Sequence, residues 1–309
     1  MITSVFKKST PLNFSLVVIL ILVFFLMYHF QDVSWMNSGI LILKKGVILS
    51  VLLASVLITN FVAKKNGLSK DSTFTIFFYF LFLLFFPSVL DNLNLVVSNF
   101  FILLALRRLI SLQSQKASNE KIFDASLWIF VAALFHFWSI LFIILVFISI
   151  LFHVSGQFKK WVLPFIGFFI VGIISIFLSM IFNVSIIEFI NKSVQTNFEI
   201  NYFTNNYQNG ALSIYATVAL FFVISIFATL SNRPQLLHIS FKKIIAYFFI
   251  GVLIFVVSPN KSNDLLIFTF VPMAIMATSH IEMAQLKLKQ EMVLFVLIAC
   301  SLFAFFSQL

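Results

Sequence analysis

Cysteine is almost missing from this 309-residue sequence. Its single example, Cys300, has no partner for an internal disulfide and no Cys/His cluster nearby to form a zinc site. Charge is scarce as well: 10% of residues are charged, against about 25% in soluble domains. Because 61% are hydrophobic, a soluble globule is excluded. Glycine is limited to eight and no Gly-x-x-x-Gly occurs, so close glycine-mediated helix crossings are not expected. There is no glycine-rich phosphate loop, Ser/His/Asp order or cysteine pair, so ATP hydrolysis and thiol chemistry are not expected either. Five dispersed histidines show no metal-ligand spacing and argue against an iron-dependent oxygenase. No cofactor is expected; a divalent metal stays open, without a ligand motif.

What is present is a series of apolar runs, near 13–30, 46–63, 73–90, 94–110, 122–135, 138–153, 163–182, 213–231, 243–257, 264–279 and 292–309. Most have the length that a helix needs to cross a hydrocarbon core of about 30 Å. The sequence therefore predicts an all-α, polytopic membrane protein of about eleven segments, forming one integral membrane domain over 1–309. Lys7 and Lys8 precede the first run and no small-x-small cleavage site follows it, so it reads as a retained anchor.

The 20 Lys and Arg stand between runs as short pairs and read as topology signals, not as a nucleic-acid surface. They also decide how to read 122–153. With a short hairpin turning near His136, Phe137 and Trp138 and the N-terminus in the cytoplasm, only Lys44, Lys45, Lys192 and Lys261 fall outside. A single span there would spread the basic residues almost evenly over both sides. The hairpin is the expected arrangement. Arms of about 14 to 16 residues reach only about 21 to 24 Å, short of a full crossing.

This topology leaves 183–212 as the longest outward, periplasmic loop. Val184, Ile186, Ile187, Ile190 and Val194 at helical spacing, with Glu188 and Lys192 four apart, predict a short interfacial helix. Amides and aromatics follow, from Asn197 through Asn201, Tyr202 and Phe203 to Gly210, a pairing suited to a sugar or simply to solvent. Three outward acids, Asp32, Asp91 and Asp264, sit at span ends, where each is either a helix cap or a partly desolvated base. Asn92 adjoins the second of them. Lys44, Lys45 and Lys261 on the same side suit either a lipid-linked phosphate or ordinary anionic headgroups. His136 and Trp138 at the hairpin turn are either packed or cavity-lining.

The stretch Phe86-Pro87-Ser88-Val89-Leu90-Asp91-Asn92, leading to Phe100-Phe101-Ile102-Leu103-Leu104-Ala105-Leu106-Arg107-Arg108, resembles the third-to-fourth helix passage of C-type (GT-C) membrane glycosyltransferases and related O-antigen or exopolysaccharide polymerases. The hairpin around Ala132-Ala133-Leu134-Phe135-His136-Phe137-Trp138-Ser139 is similar to their paired short helices. Asn260-Lys261-Ser262-Asn263-Asp264-Leu265, running to Pro272, looks like their late outward turn. The resemblance implies a polyprenyl-phosphate-linked sugar donor, a glycan acceptor and an acid acting as base on the outer face of a bacterial inner membrane. Asp32 at the first outward loop would take that role, or Asp91 in its place. Lys44, Lys45 and Lys261 would hold the phosphate, and Asn92, His136, Trp138, Glu188 and Asp264 would line the cavity. The other readings are a non-catalytic accessory subunit of an envelope complex and a lipid or small-molecule transporter. The bilayer is a partner in all of them.

Overall fold

The computed structural model describes residues 2–154, 156, 158–183, 185–198, 205–284 and 286–309, and among them there is helix and no strand. In chain order the helices are α1 (Ile2–Phe6), α2 (Pro11–His29), α3 (Gly39–Lys65), α4 (Phe74–Leu84), α5 (Leu93–Ile110), α6 (Ser118–Phe135) and α7 (Ile143–Val154). They continue with α8 (Lys159–Phe182), α9 (Ile186–Ser193), α10 (Asn206–Thr229), α11 (Gln235–Val257), α12 (Ile267–Met283) and α13 (Lys287–Ser307). Each expected apolar run lies on a helix or on a helix with a 3-10 turn. Among the described residues, eight helical stretches are long and apolar enough to cross a membrane. The protein is a multi-pass helical membrane protein.

Helix ends follow ordinary capping chemistry. Thr10 accepts from the Asn13 amide ahead of Pro11 at the start of α2, Asn92 accepts from the Leu95 amide at α5, and Ser185 accepts from the Glu188 amide at α9. Lys64 and Lys65 close α3, and Arg107 and Arg108 close α5, where cations favour the negative helix terminus.

The centre is α4 with α12. All eleven residues of α4 are buried, as is 89% of the apolar window of α12. A helix apolar on every side can be stable only when surrounded, and α2, α3, α12 and α13 pack around α4. Within the pair, Thr278 donates to Thr75 at 3.2 Å. At the rim lies α8, with only 11% of its window buried, the burial expected of a lipid-facing helix.

The basic loops meet at one end. Lys64 reaches Ser9 and Asp71, Thr3 reaches Glu291, and the Lys70 and Ser72 backbone and hydroxyl donate to Glu282. Arg233 donates to Ser279, and Gln113 donates to the Leu236 carbonyl. Lys160 donates to Ser118 at 2.5 Å, so the chain that sets out along α6 is back at the same end before α8. The break falls at His136, whose extended backbone stops α6, followed by a 3-10 turn over Phe137–Phe142 and then α7. At the far end the His136 ring meets Ser258 at 3.3 Å, just past α11. The hairpin is thus present, with arms longer than their apolar runs. Eighteen residues of α6 span about 27 Å at 1.5 Å each, because Ser118 to Lys121 add a polar first turn.

Two further expectations change. α10 begins at Asn206 rather than near 213, capped by Asn205, so residues 206–210 belong to its first turns. Close crossings through single glycines do occur. A β-carbon on Gly251 in α11 would stand 2.9 Å from the Thr269 methyl and 3.2 Å from the Phe268 carbonyl of α12. Pro272, lacking an N–H, leaves that carbonyl without its usual helical donor, and the bare glycine lets α11 close over it. Gly167 likewise lets α8 approach Ser126 of α6.

In a Cys300→Ser background, Lys70→Cys and Lys159→Cys label from one side of the membrane and Lys192→Cys from the other; labelling of the first two from opposite sides would rule out the hairpin. Gly251→Ala is expected to cost about 1 to 3 kcal/mol through overpacking, read as a lower melting temperature in detergent. Gly46→Ala, with nothing within 4 Å of its β-carbon, serves as the matched control.

Candidate functional site

At the end opposite the basic loops, two adjoining pockets of about 390 and 440 Å³ open to solvent. Four segments supply their walls. The end of α2 brings Tyr28 and His29. A 3-10 turn over Val33–Asn37 follows, capped by the Asp32 carboxylate on the Ser34 amide at 2.9 Å. Trp35 donates from its indole to the His29 carbonyl at 2.9 Å and so folds this loop back over the end of α2. The first turns of α3 present Leu41, Lys44 and Lys45 on one face by their spacing of three and four.

The fourth wall comes from where α4 gives out. Its eleven residues reach about 17 Å, short of the surface, and the chain continues through Phe85 and Phe86 into a 3-10 turn over Pro87–Asp91. With three residues per turn, Ser88 and Asp91 fall on the same side, and both line the smaller pocket. Asn92 then caps α5. Asp264, from the 3-10 turn ahead of α12, completes this pocket, 9% exposed and accepting a hydrogen bond from Ser88.

Three residues, Tyr28, Lys44 and Asp91, line both pockets and form the wall between them. Lys45 forms an ion pair with Asp91, the lysine side chain 12% exposed and the aspartate side chain 54%. Partial burial alone would raise the Asp91 pKa, but the hydrogen bond and charge of Lys45, with the charge of Lys44 behind it, outweigh that and leave it below the ordinary range. Asp32 is fully exposed, and the Ser34 amide and hydroxyl hold its pKa below the ordinary range too. Lys44 is exposed and makes no hydrogen bond or ion pair among the described residues. The buried His29 bonds through Nδ1 to the Phe25 carbonyl at 2.9 Å, which puts its proton on Nδ1. Its Nε2, left as an acceptor, has no partner among the described residues.

Six of the residues singled out in the sequence therefore meet here: Asp32, Lys44, Lys45, Asp91, Asn92 and Asp264. Four do not. Lys261 donates to the Asn197 carbonyl and lies in neither wall. His136 packs on Phe268 and meets Ser258. Trp138 keeps a buried indole nitrogen with no partner among the described residues, and Glu188 is exposed on α9. Asn201, Tyr202 and Phe203 lie outside the described residues. Sequence reasoning missed Tyr28, His29, Ser88 and Gln308. Only Ser88 carried a signal, its spacing of three from Asp91 behind a proline.

The chain belongs to a family of unknown function, DUF6427, whose profile matches residues 1–309. No curated protein and no solved structure matches it.

Asp91→Asn removes the charge from the Lys45 pair and is expected to cost at most about 1 kcal/mol, given how exposed the carboxylate is. Because the folded carboxyl ionises more readily than the unfolded one, its stabilisation is complete above the ordinary aspartate range and is lost as pH falls through the lowered folded value. Melting curves between about pH 7 and about pH 3 should show the wild-type advantage over Asp91→Asn shrinking on acidification. An advantage that grows would contradict the pairing.

Proposed function

We propose that this outward pair of pockets is the working site of the chain and that it transfers a sugar from a polyprenyl-phosphate-linked donor to a glycan acceptor. The cellular setting of this reading is the outer face of a bacterial inner membrane, with the N-terminus in the cytoplasm, an orientation that the clustering of basic loops at one end supports. The observation that carries it is the shared wall. A transferase with two substrates needs two adjoining sites, with its proton acceptor and its phosphate holder at their junction. Tyr28, Lys44 and Asp91 occupy that junction.

In this mechanism an acceptor hydroxyl in one pocket attacks the anomeric carbon of the donor in the other. The new C–O bond forms as the bond from the sugar to the phosphate breaks, and the electron pair leaves on the phosphate. The hydroxyl proton passes to the Asp91 carboxylate, which its lysine neighbours keep ionised and able to receive it. Lys44, with no ion pair of its own among the described residues, offers its charge to the departing phosphate. Lys45 holds Asp91 in place. Asp264 and Ser88 form a second carboxylate and hydroxyl pair on the same pocket, suited to a sugar hydroxyl. Asp32, used as a cap at the mouth of the larger pocket, is better placed to meet the acceptor than to take its proton.

Purified protein supplied with a polyprenyl-phosphate-linked sugar and a glycan acceptor should release polyprenyl phosphate. Asp91→Asn is expected to slow that release by about 10²- to 10⁴-fold, and Lys44→Gln to weaken donor binding, with both variants accumulating normally in the membrane. In cells, the matching result is loss of an envelope polysaccharide. Normal polysaccharide in both variants, together with collapse of a partner complex on deleting the whole protein, would replace this reading with that of an accessory subunit.

A further inference from the structure

A third pocket, of about 510 Å³, lies at the opposite end, among the basic loops. Its walls are the end of α3, the end of α5 with the 3-10 turn Ser111–Ser114, and the first turn of α6. Four cations line it, Lys65, Arg107, Arg108 and Lys121, and no carboxylate does. The topology rule accounts for the side on which these residues lie. It does not account for their convergence on one concavity, where like charges repel.

Their partners show what is left over. Arg108 is compensated by Asp124 at 2.8 Å. Lys121 is held by the Ser111 carbonyl at 2.7 Å and the Ser114 hydroxyl at 2.8 Å, neutral acceptors that fix its position without cancelling its charge. Lys65 and Arg107 make no hydrogen bond or ion pair among the described residues. They approach the same Phe61 ring, at 4.9 and 4.7 Å from its centroid. A shared aromatic ring orients two cations side by side, and the Arg107 guanidinium keeps its planar fork of donors free.

We infer that this pocket is an anion site for a phosphate group, with Arg107 and Lys65 as its ligands and Lys121 as a fixed third charge. The free fork matches two phosphate oxygens. Arg108, already paired, sets the rim. Such a phosphate belongs either to an anionic lipid headgroup of the adjoining leaflet or to a soluble phosphate compound entering from the water. The site is separate from the outward pockets and does not depend on their reading.

The test uses full-length protein in a neutral detergent, titrated separately with phosphatidylglycerol, phosphatidylcholine and inorganic pyrophosphate. Melting temperature and native mass spectrometry are the readouts. Wild type is expected to be stabilised by phosphatidylglycerol or by pyrophosphate and not by phosphatidylcholine; which of the first two acts identifies the source of the phosphate. Lys65→Gln with Arg107→Gln should weaken that binding by at least about tenfold. Lys287→Gln with Lys289→Gln removes the same charge from exposed residues elsewhere and should leave it unchanged. Arg107→Lys keeps the charge and loses the fork, giving a folded protein with intermediate affinity if the double variant does not accumulate. Equal binding by wild type, Arg107→Lys and the double variant would overturn the assignment, as would the same loss in the control or no response to either anion.

Discussion

Backbone polar groups inside a bilayer must find partners within the protein, and α4 is where this chain meets that demand most severely. It is too short to cross and is followed at once by a non-helical break at Phe85 and Phe86. That break is tolerable because it is wrapped: Phe85 and Phe86 are fully buried, and the Gln308 amide donates to the Phe85 carbonyl at 2.9 Å. The same break lifts Ser88, Asp91 and Asn92 to the outer rim. The candidate site and the central packing are thus two results of one interruption.

The two ends of the bundle differ in electrostatic character. The pockets beside Asp91 mix carboxylates with lysines, and most of their charges are held by one another, by a backbone amide or by a hydroxyl. In the pocket among the basic loops, every charged residue on the walls is a cation. A mixed site can place a proton acceptor beside a cation, and an all-cationic one can only hold an anion. The two ends thus differ in charge make-up, and a core of aromatic side chains such as Phe78, Phe82 and Phe270 lies between them.

Much of this architecture is legible in the amino-acid order because bilayer physics acts on single stretches of chain. The apolar runs, the side on which the lysines collect and the hairpin at His136 all follow from length and charge. Convergence is harder to read. Asp91 and Asp264 share a pocket through the packing of α12 on α4, which no local pattern encodes. Lys261 carried the same local signal as Lys44, an outward cation beside a span, yet it is drawn to the Asn197 carbonyl. Gly251 shows the same limit. Its significance comes from Phe268 and Pro272 on another helix, and a scan for paired glycines on one strand of sequence passes over it.

The union of α4 with α12 sets a schedule for how the chain is made. Thr75 and Thr278, hydrogen-bonded in the finished core, are 203 positions apart. At roughly 5 to 20 residues per second, about 10 to 40 s of synthesis separate them. Through that interval α4 has left the ribosome without its principal neighbour, too short to rest across the bilayer alone. It has to be sheltered by α2 and α3, which precede it, or by the insertion machinery, until the last helices arrive. Termination between α11 and α12 would leave a product with every early helix present and no centre, a ready substrate for membrane quality control.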